Sequence, residues 1–204
     1  ILDIPFLVTG LDHAPAEIRN AYGKSISKAG AAYIGSHAID GAKWVQIADG
    51  AADANADAVA FFADETIAAG TIARSGEQPT GLLVNSNNLL QAIDFGLEKE
   101  LDFLLIDATN GLPGLSAELT GAPDISILKK AVNRLRELDR EEEIDLIYFG
   151  GLRTGTDGAK MLALGAKSVV VGAAAALAMG ADISQGEPVY TADLPSEERE
   201  ERSA

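Results

Sequence analysis

The chain has 204 residues, 47% hydrophobic and 23% charged, a composition that supports one packed domain and excludes a disordered chain. It has no cysteine and only two histidines, His13 and His37, which excludes disulfides, thiolate metal sites, iron–sulfur clusters and cysteine nucleophiles and argues against a multi-histidine metal centre. A net charge of −15 argues against nucleic acid or an anionic membrane as partner; the acidity fits either a high-salt cytoplasm or simple solubility.

Short β-like runs alternate with helix-like runs. The predicted strands are Pro5–Gly10, Ala31–Ser36, Trp44–Ala48, Ala58–Ala63, Gly81–Asn85, Phe103–Thr109, Leu146–Gly151 and Ser168–Ala173. Most are continuous apolar runs, as parallel strands covered by helices require. After the first strand, Ile18, Tyr22 and Ile26 recur at helical spacing, with Pro15 at the start and Gly30 at the end. Further on, Ile127 or Leu128, Ala131, Leu135 and Leu138 form one stripe, and Asp157 precedes a helix that Gly165 stops.

Eight strands with intervening helices predict a compact (β/α)8 TIM barrel over residues 1–181, with a polar acidic C-terminal tail over 182–204. An open doubly wound sheet is the alternative. The third crossover, DGAADANAD, is shorter than a parallel connection usually takes, so that layer carries a stub in place of a helix or lacks residues. The tail is expected to be a solvated arm, or a segment packed on a partner subunit. The most apolar stretch, Val169 to Ala181, is shorter than the ~20 residues a membrane helix needs. A cytoplasmic protein is the expectation.

Two glycine-bearing turns carry the chemistry. The seventh strand runs into Gly150-Gly151-Leu152-Arg153 and the eighth into Gly172-Ala173. In (β/α)8 barrels these two loops often bind phosphate, because backbone N–H groups and helix starts converge there. Glycine lets the backbone approach an anion, and Arg153 adds a charged donor. Tight strand–helix turns are the plainer reading of the same glycines.

The stretch GGLRTGTDGAKMLALGAKSVVVGAAAALAMG, from Gly150 to Gly180, resembles the FMN-phosphate motif of the FMN-binding domain of the glutamate synthase family. The resemblance is weaker upstream, in PFLVTG, WVQIA and FLLIDATNG. It implies a (β/α)8 fold, non-covalent FMN and flavin oxidoreductase chemistry within a multi-subunit enzyme. Carried onto this chain, Gly150, Gly151, Arg153, Gly172 and Ala173 would hold the FMN phosphate. Thr9 and Gly10 would line the isoalloxazine, Gln46 would lie near its polar edge, and Asp107 would face the ribityl chain or substrate.

The chain also departs from the family's pattern. Asn85, expected among the cofactor contacts as a hydrogen-bonding group without charge, stands where the fifth strand usually ends in lysine, and TNGLPGLSAELTGAPD replaces a glycine-rich loop after the sixth. ADETIAAG replaces the substrate loop after the fourth strand, and Ala181 stands where the first cluster cysteine would fall.

Outside that motif, the catalytic candidates are His13, beyond the first strand, and Asp107, which is either catalytic or a cap for the amides of Asn110 and Gly111. His37 follows the second strand at a similar position. Two functions are carried forward. One is an FMN-binding oxidoreductase domain for electron or amino-group transfer, working on a small molecule with other subunits or as a homo-oligomer. The other is a non-catalytic structural or regulatory barrel subunit that has lost the redox apparatus. A phosphosugar isomerase or epimerase ranks behind both.

Overall fold

The computed structural model describes residues 2–74, 76–183 and 188–190. Eight parallel strands follow chain order around a closed barrel: β1 (Phe6–Val8), β2 (Ala32–Gly35), β3 (Lys43–Ala48), β4 (Ala58–Phe62), β5 (Thr80–Val84), β6 (Phe103–Asp107), β7 (Asp145–Phe149) and β8 (Ser168–Val171). Pairing of Phe6, Leu7 and Val8 with Val169, Val170 and Val171 completes the ring, so the sheet is closed, not open. The expected runs overshoot most strands at their C-terminal ends, where the chain leaves the ladder to build the turns that matter below.

Both faces of the strands are buried, which hides their alternation in the sequence. Leu7, Ile34, Ile47, Leu83, Leu105, Phe149 and Val170 fill the interior. Their neighbours Tyr33, Val59, Leu82, Leu104, Tyr148 and Val169 pack outward against the helical coat.

The coat is uneven. α1 (Ala16–Ala29) buries Ile18, Tyr22 and Ile26 and ends at Gly30, whose φ is 70°. α2 (Ala63–Ala69) and α3 (Leu89–Glu98) follow β4 and β5. α4 (Ser116–Thr120) and α5 (Ser126–Glu137) link β6 to β7, and α5 buries Ile127, Leu128, Ala131, Val132 and Leu135. α6 (Gly155–Ala163) starts ahead of Asp157 rather than after it: Thr154 is its N-cap, and the two residues exchange hydrogen bonds in a capping box. α7 (Ala173–Ala178) follows β8.

Residues 36–42 and 49–57 contain no helix, which accounts for the short third crossover. Side-chain hydrogen bonds hold that crossover instead. The Gln78 amide donates to the carbonyls of Asp53, Ala54 and Ala56, and the Trp44 N–H donates to Asp57 at 2.8 Å. Backbone groups that a helix would have satisfied internally are thus partnered from outside.

The acidic tail folds back at its start: Asp182 and Val189 form an antiparallel bridge. The rest of the expected tail, 184–187 and 191–204, lies outside the described residues. Among the described residues no helix is long and apolar enough to cross a membrane.

Candidate functional site

Strand alternation decides which residues face the C-terminal mouth of the barrel. Continuing the inward register of Leu7, Leu83, Leu105 and Val170 brings Thr9, Asn85, Asp107 and Gly172 to the mouth from β1, β5, β6 and β8. Gln46 is different. It alternates with the inward-facing Val45 and Ile47, so it lies on the outer face. There its side-chain oxygen accepts the Asp53 N–H at 2.7 Å, and its amide donates to the Ala51 carbonyl. The structure therefore separates Gln46 from the other expected contacts; it pins the helix-free crossover.

Asp107, 3% exposed, organises the chain that follows it. Its carboxylate accepts the N–H groups of Thr109, Asn110, Gly111 and Leu112 at 2.8–3.0 Å and the Thr109 hydroxyl at 2.7 Å. Those five bonds occupy both oxygens, so Asp107 is the cap of this loop and not a free acid or base. The loop is thereby turned over the barrel mouth, where Leu112 and Leu115 join the interior cluster.

Leu115 is wedged between two glycines. A Cβ on Gly10 would stand 2.3 Å from its Cδ1, and a Cβ on Gly172 would stand 2.6 Å from its Cδ2. Gly10 also has φ +89°, a conformation that residues with a Cβ rarely adopt. The glycines that sequence reasoning assigned to a ligand are therefore shaped around a side chain of this same protein.

The next turn carries the decisive residue. Glu118, on α4, accepts the Gly151 N–H at 3.0 Å with one oxygen and the Ala173 N–H at 2.8 Å with the other. Gly151 and Ala173 are two of the five residues expected to hold a phosphate. Gly151 also packs on Pro123, whose Cγ would lie 2.6 Å from an added Cβ. Both the cradle reading and the tight-turn reading of Gly150-Gly151 thus have a physical basis.

Burial raises the pKa of Glu118 above its usual 4.5, reinforced by Asp107, against the opposing effect of the two N–H donors and of Arg153. A raised carboxyl pKa gives stability that is complete below the unfolded value and is lost as pH rises through the folded one. We expect wild type minus Glu118→Gln, measured by urea unfolding from about pH 4 to about pH 7, to decline with rising pH. A flat difference would mean that the two N–H donors and Arg153 offset the effect of burial.

The remaining candidates are dispersed. The hydroxyl of Thr9 is buried without a hydrogen-bond partner among the described residues. The side chain of Asn85 accepts the Asn87 N–H at 2.9 Å in a local turn. Arg153 is exposed, and its guanidinium makes no hydrogen bond or ion pair among the described residues. His13 and His37 are both exposed, beside a cavity of about 100 Å³ that Asp12, Leu115 and Tyr190 also line. Asp12 ties the first two loops together, accepting the Tyr33 hydroxyl and the Ser36 N–H, each at 2.9 Å. Tyr190 closes the same side by donating to the Gly10 carbonyl, and burial pushes its phenol up to about 12. Among the described residues, no group of three or more His, Cys, Asp or Glu side chains is placed to hold a metal.

These residues do not fit the phosphate of FMN as they stand. The Gly151 and Ala173 N–H groups are taken by the Glu118 carboxylate, and a phosphate dianion in the same place would meet its negative charge. The mouth cavity of about 100 Å³ is well below the roughly 300 Å³ at which small-molecule sites begin. A larger cavity of about 590 Å³ opens on the cradle itself, lined by Glu118, Gly151, Arg153, Ala173 and Leu177. Sequence reasoning missed Leu115 and Glu118. The signal available was the replaced loop itself, where an acid and a leucine stand in a segment that the family fills with glycine.

Three comparisons bear on identity. Residues 75–186, more than half of the chain, match the family described as the conserved region in glutamate synthase. A glutamate synthase large subunit-like protein of Rhizobium meliloti is 32% identical over 93 residues, which is 44% of this chain and 21% of that protein. An archaeal-type glutamate synthase [NADPH] of Thermotoga neapolitana is 29% identical over 114 residues, 53% of this chain and 22% of that protein. The chain thus spans about a fifth of the length of these relatives.

Among solved structures, mandelate oxidase with benzoyl-formic acid superposes with a TM-score of 0.58 at 16% identity, over 85% of this chain and 66% of that one. A flavocytochrome b2 with sulfite bound gives 0.57 at 14% identity, over 87% and 59%. A mandelate oxidase mutant with the C4a-OH-FMN adduct gives 0.54 at 17% identity, over 84% and 66%. At these identities the structures support the fold alone. The match across β5 to α7, set on a closed eight-stranded barrel with the expected glycine turns after β7 and β8, makes this chain a member of the glutamate synthase family.

Proposed function

We propose that this chain is a non-catalytic barrel of the glutamate synthase family, a structural or regulatory domain that works beside partner subunits without resident flavin. One observation carries the reading: the barrel mouth is filled by the chain's own β6–β7 connection, with Leu115 packed between Gly10 and Gly172. The replacement of the fifth strand's usual lysine by Asn85 supports it, since Asn85 supplies no charge for a reduced flavin and spends its side-chain oxygen on a local turn.

A second reading, FMN-dependent electron or amino-group transfer, has specific support. A mandelate oxidase mutant of similar fold carries an FMN adduct, and the partnerless Thr9 hydroxyl lies at the mouth. It requires the segment from Leu112 to Glu118 to leave the mouth.

Visible absorbance and FMN fluorescence of the purified chain separate the two. The expected result is a colourless protein that leaves the fluorescence of added FMN unquenched up to about 1 mM protein, the weak end of specific binding. A yellow preparation, or saturable quenching at one FMN per chain, would overturn the first reading and establish the second.

A further inference from the structure

We infer that Glu118 is a built-in anion: its carboxylate replaces an external oxyanion in the cradle between β7 and β8, and removing it leaves a vacant site for phosphate. The inference rests on the reading of a self-filled barrel and concerns what the filling does.

Glu118 is bonded through its two oxygens to amides at the ends of two adjacent strands, Gly151 after β7 and Ala173 after β8. Gly172 leaves the space in which it fits: a Cβ there would stand 2.6 Å from its Oε2. The residue is 8% exposed, on a five-residue helix held over the mouth by Leu115 and, further back, by the loop that Asp107 caps. Each oxygen meets one N–H, the arrangement in which a tetrahedral oxyanion would be gripped, and Arg153 contributes a favourable charge. Both amides line the cavity of about 590 Å³, so an anion can reach them once the carboxylate is removed, and they need a partner again. The chemical class that restores what is lost is a small oxyanion carrying at least two acceptor oxygens. Phosphate is favoured because the exposed Arg153 guanidinium, whose charge acts on Glu118 in the intact chain, matches phosphate geometry.

Glu118→Ala tests this through thermal unfolding with inorganic phosphate as probe and sodium chloride at matched ionic strength as control. Glu118→Ala is expected to melt below wild type and to regain roughly 3–6 °C in phosphate at ten times its Kd, while wild type is unmoved. Destabilisation without selective rescue would overturn the inference and reduce Glu118 to a packing residue; an equal response of wild type would overturn it by showing an open cradle. If Glu118→Ala fails to fold, amide chemical shifts of Gly151 and Ala173 in the wild-type chain decide. Shifts unmoved by millimolar phosphate support occupancy by Glu118, and displaced shifts overturn it. FMN uptake by wild type is measured on the same samples. Uptake would sink the self-filled reading as a whole, whereas failed rescue in a chain that takes up no FMN sinks only the role of Glu118.

Discussion

Replacing Asp107 with alanine is expected to lower the unfolding free energy by about 4 kcal/mol, among the larger effects a single substitution produces. The size follows from the bonds lost. Four backbone N–H groups in succession and one hydroxyl donate to this carboxylate. A hydrogen bond to a charged group contributes about 1.5–3 kcal/mol, and an orphaned buried donor costs about 1–3. Water reaches some of the loop, which keeps the total below the simple sum. Asp107→Asn should recover only part of the loss, because its NH2 would face N–H donors. Denaturant unfolding with both variants checks this. A loss under about 1 kcal/mol for alanine would mean that the loop does not depend on Asp107, and would return the residue to the list of catalytic candidates.

The second large effect lies at Leu115. Leu115→Ala removes a buried side chain from the top of the barrel core and should cost about 3 kcal/mol. Gly10→Ala should cost about 2 kcal/mol, from overpacking against Leu115 and from the left-handed backbone. The two are not independent, because the added Cβ meets Leu115 Cδ1 at 2.3 Å. In Gly10→Ala/Leu115→Ala the clash is gone, and the double variant should be more stable than the sum predicts by about 1 kcal/mol. Additivity within about 0.3 kcal/mol would mean that Leu115 does not rest on Gly10, and would undo the picture of a closed mouth.

The fold was legible because its signals are local. Eight apolar runs between amphipathic stretches indicated the barrel, and Ile18, Tyr22 and Ile26 marked the buried stripe of α1. The cradle glycines were legible for the same reason, since a turn after a strand is written in consecutive residues. Which atom fills the cradle was not legible. Glu118 reaches Gly151 and Ala173 across 33 and 55 residues of chain, and no periodicity links such positions. Gln46 shows the complementary limit. Its place in WVQIA was read from resemblance, but the inward or outward register of β3 is set by its pairing with β4, where Gln46 lies opposite Val59. Asp107 lay between: both a catalytic and a capping role were open from its position, and the hydrogen bonds chose the cap.

The Glu118 bridge has a consequence for supply. A barrel whose mouth is closed by a metabolite is stable in proportion to how much of that metabolite the cell provides, because ligand binding adds stability by mass action. Here the occupant is covalently part of the chain, present once per molecule and at a fixed local concentration. External phosphate competes with a tethered partner and loses until its own affinity is high. On the proposed reading, the barrel needs no ligand to close its mouth, and its abundance would not follow the supply of a cofactor.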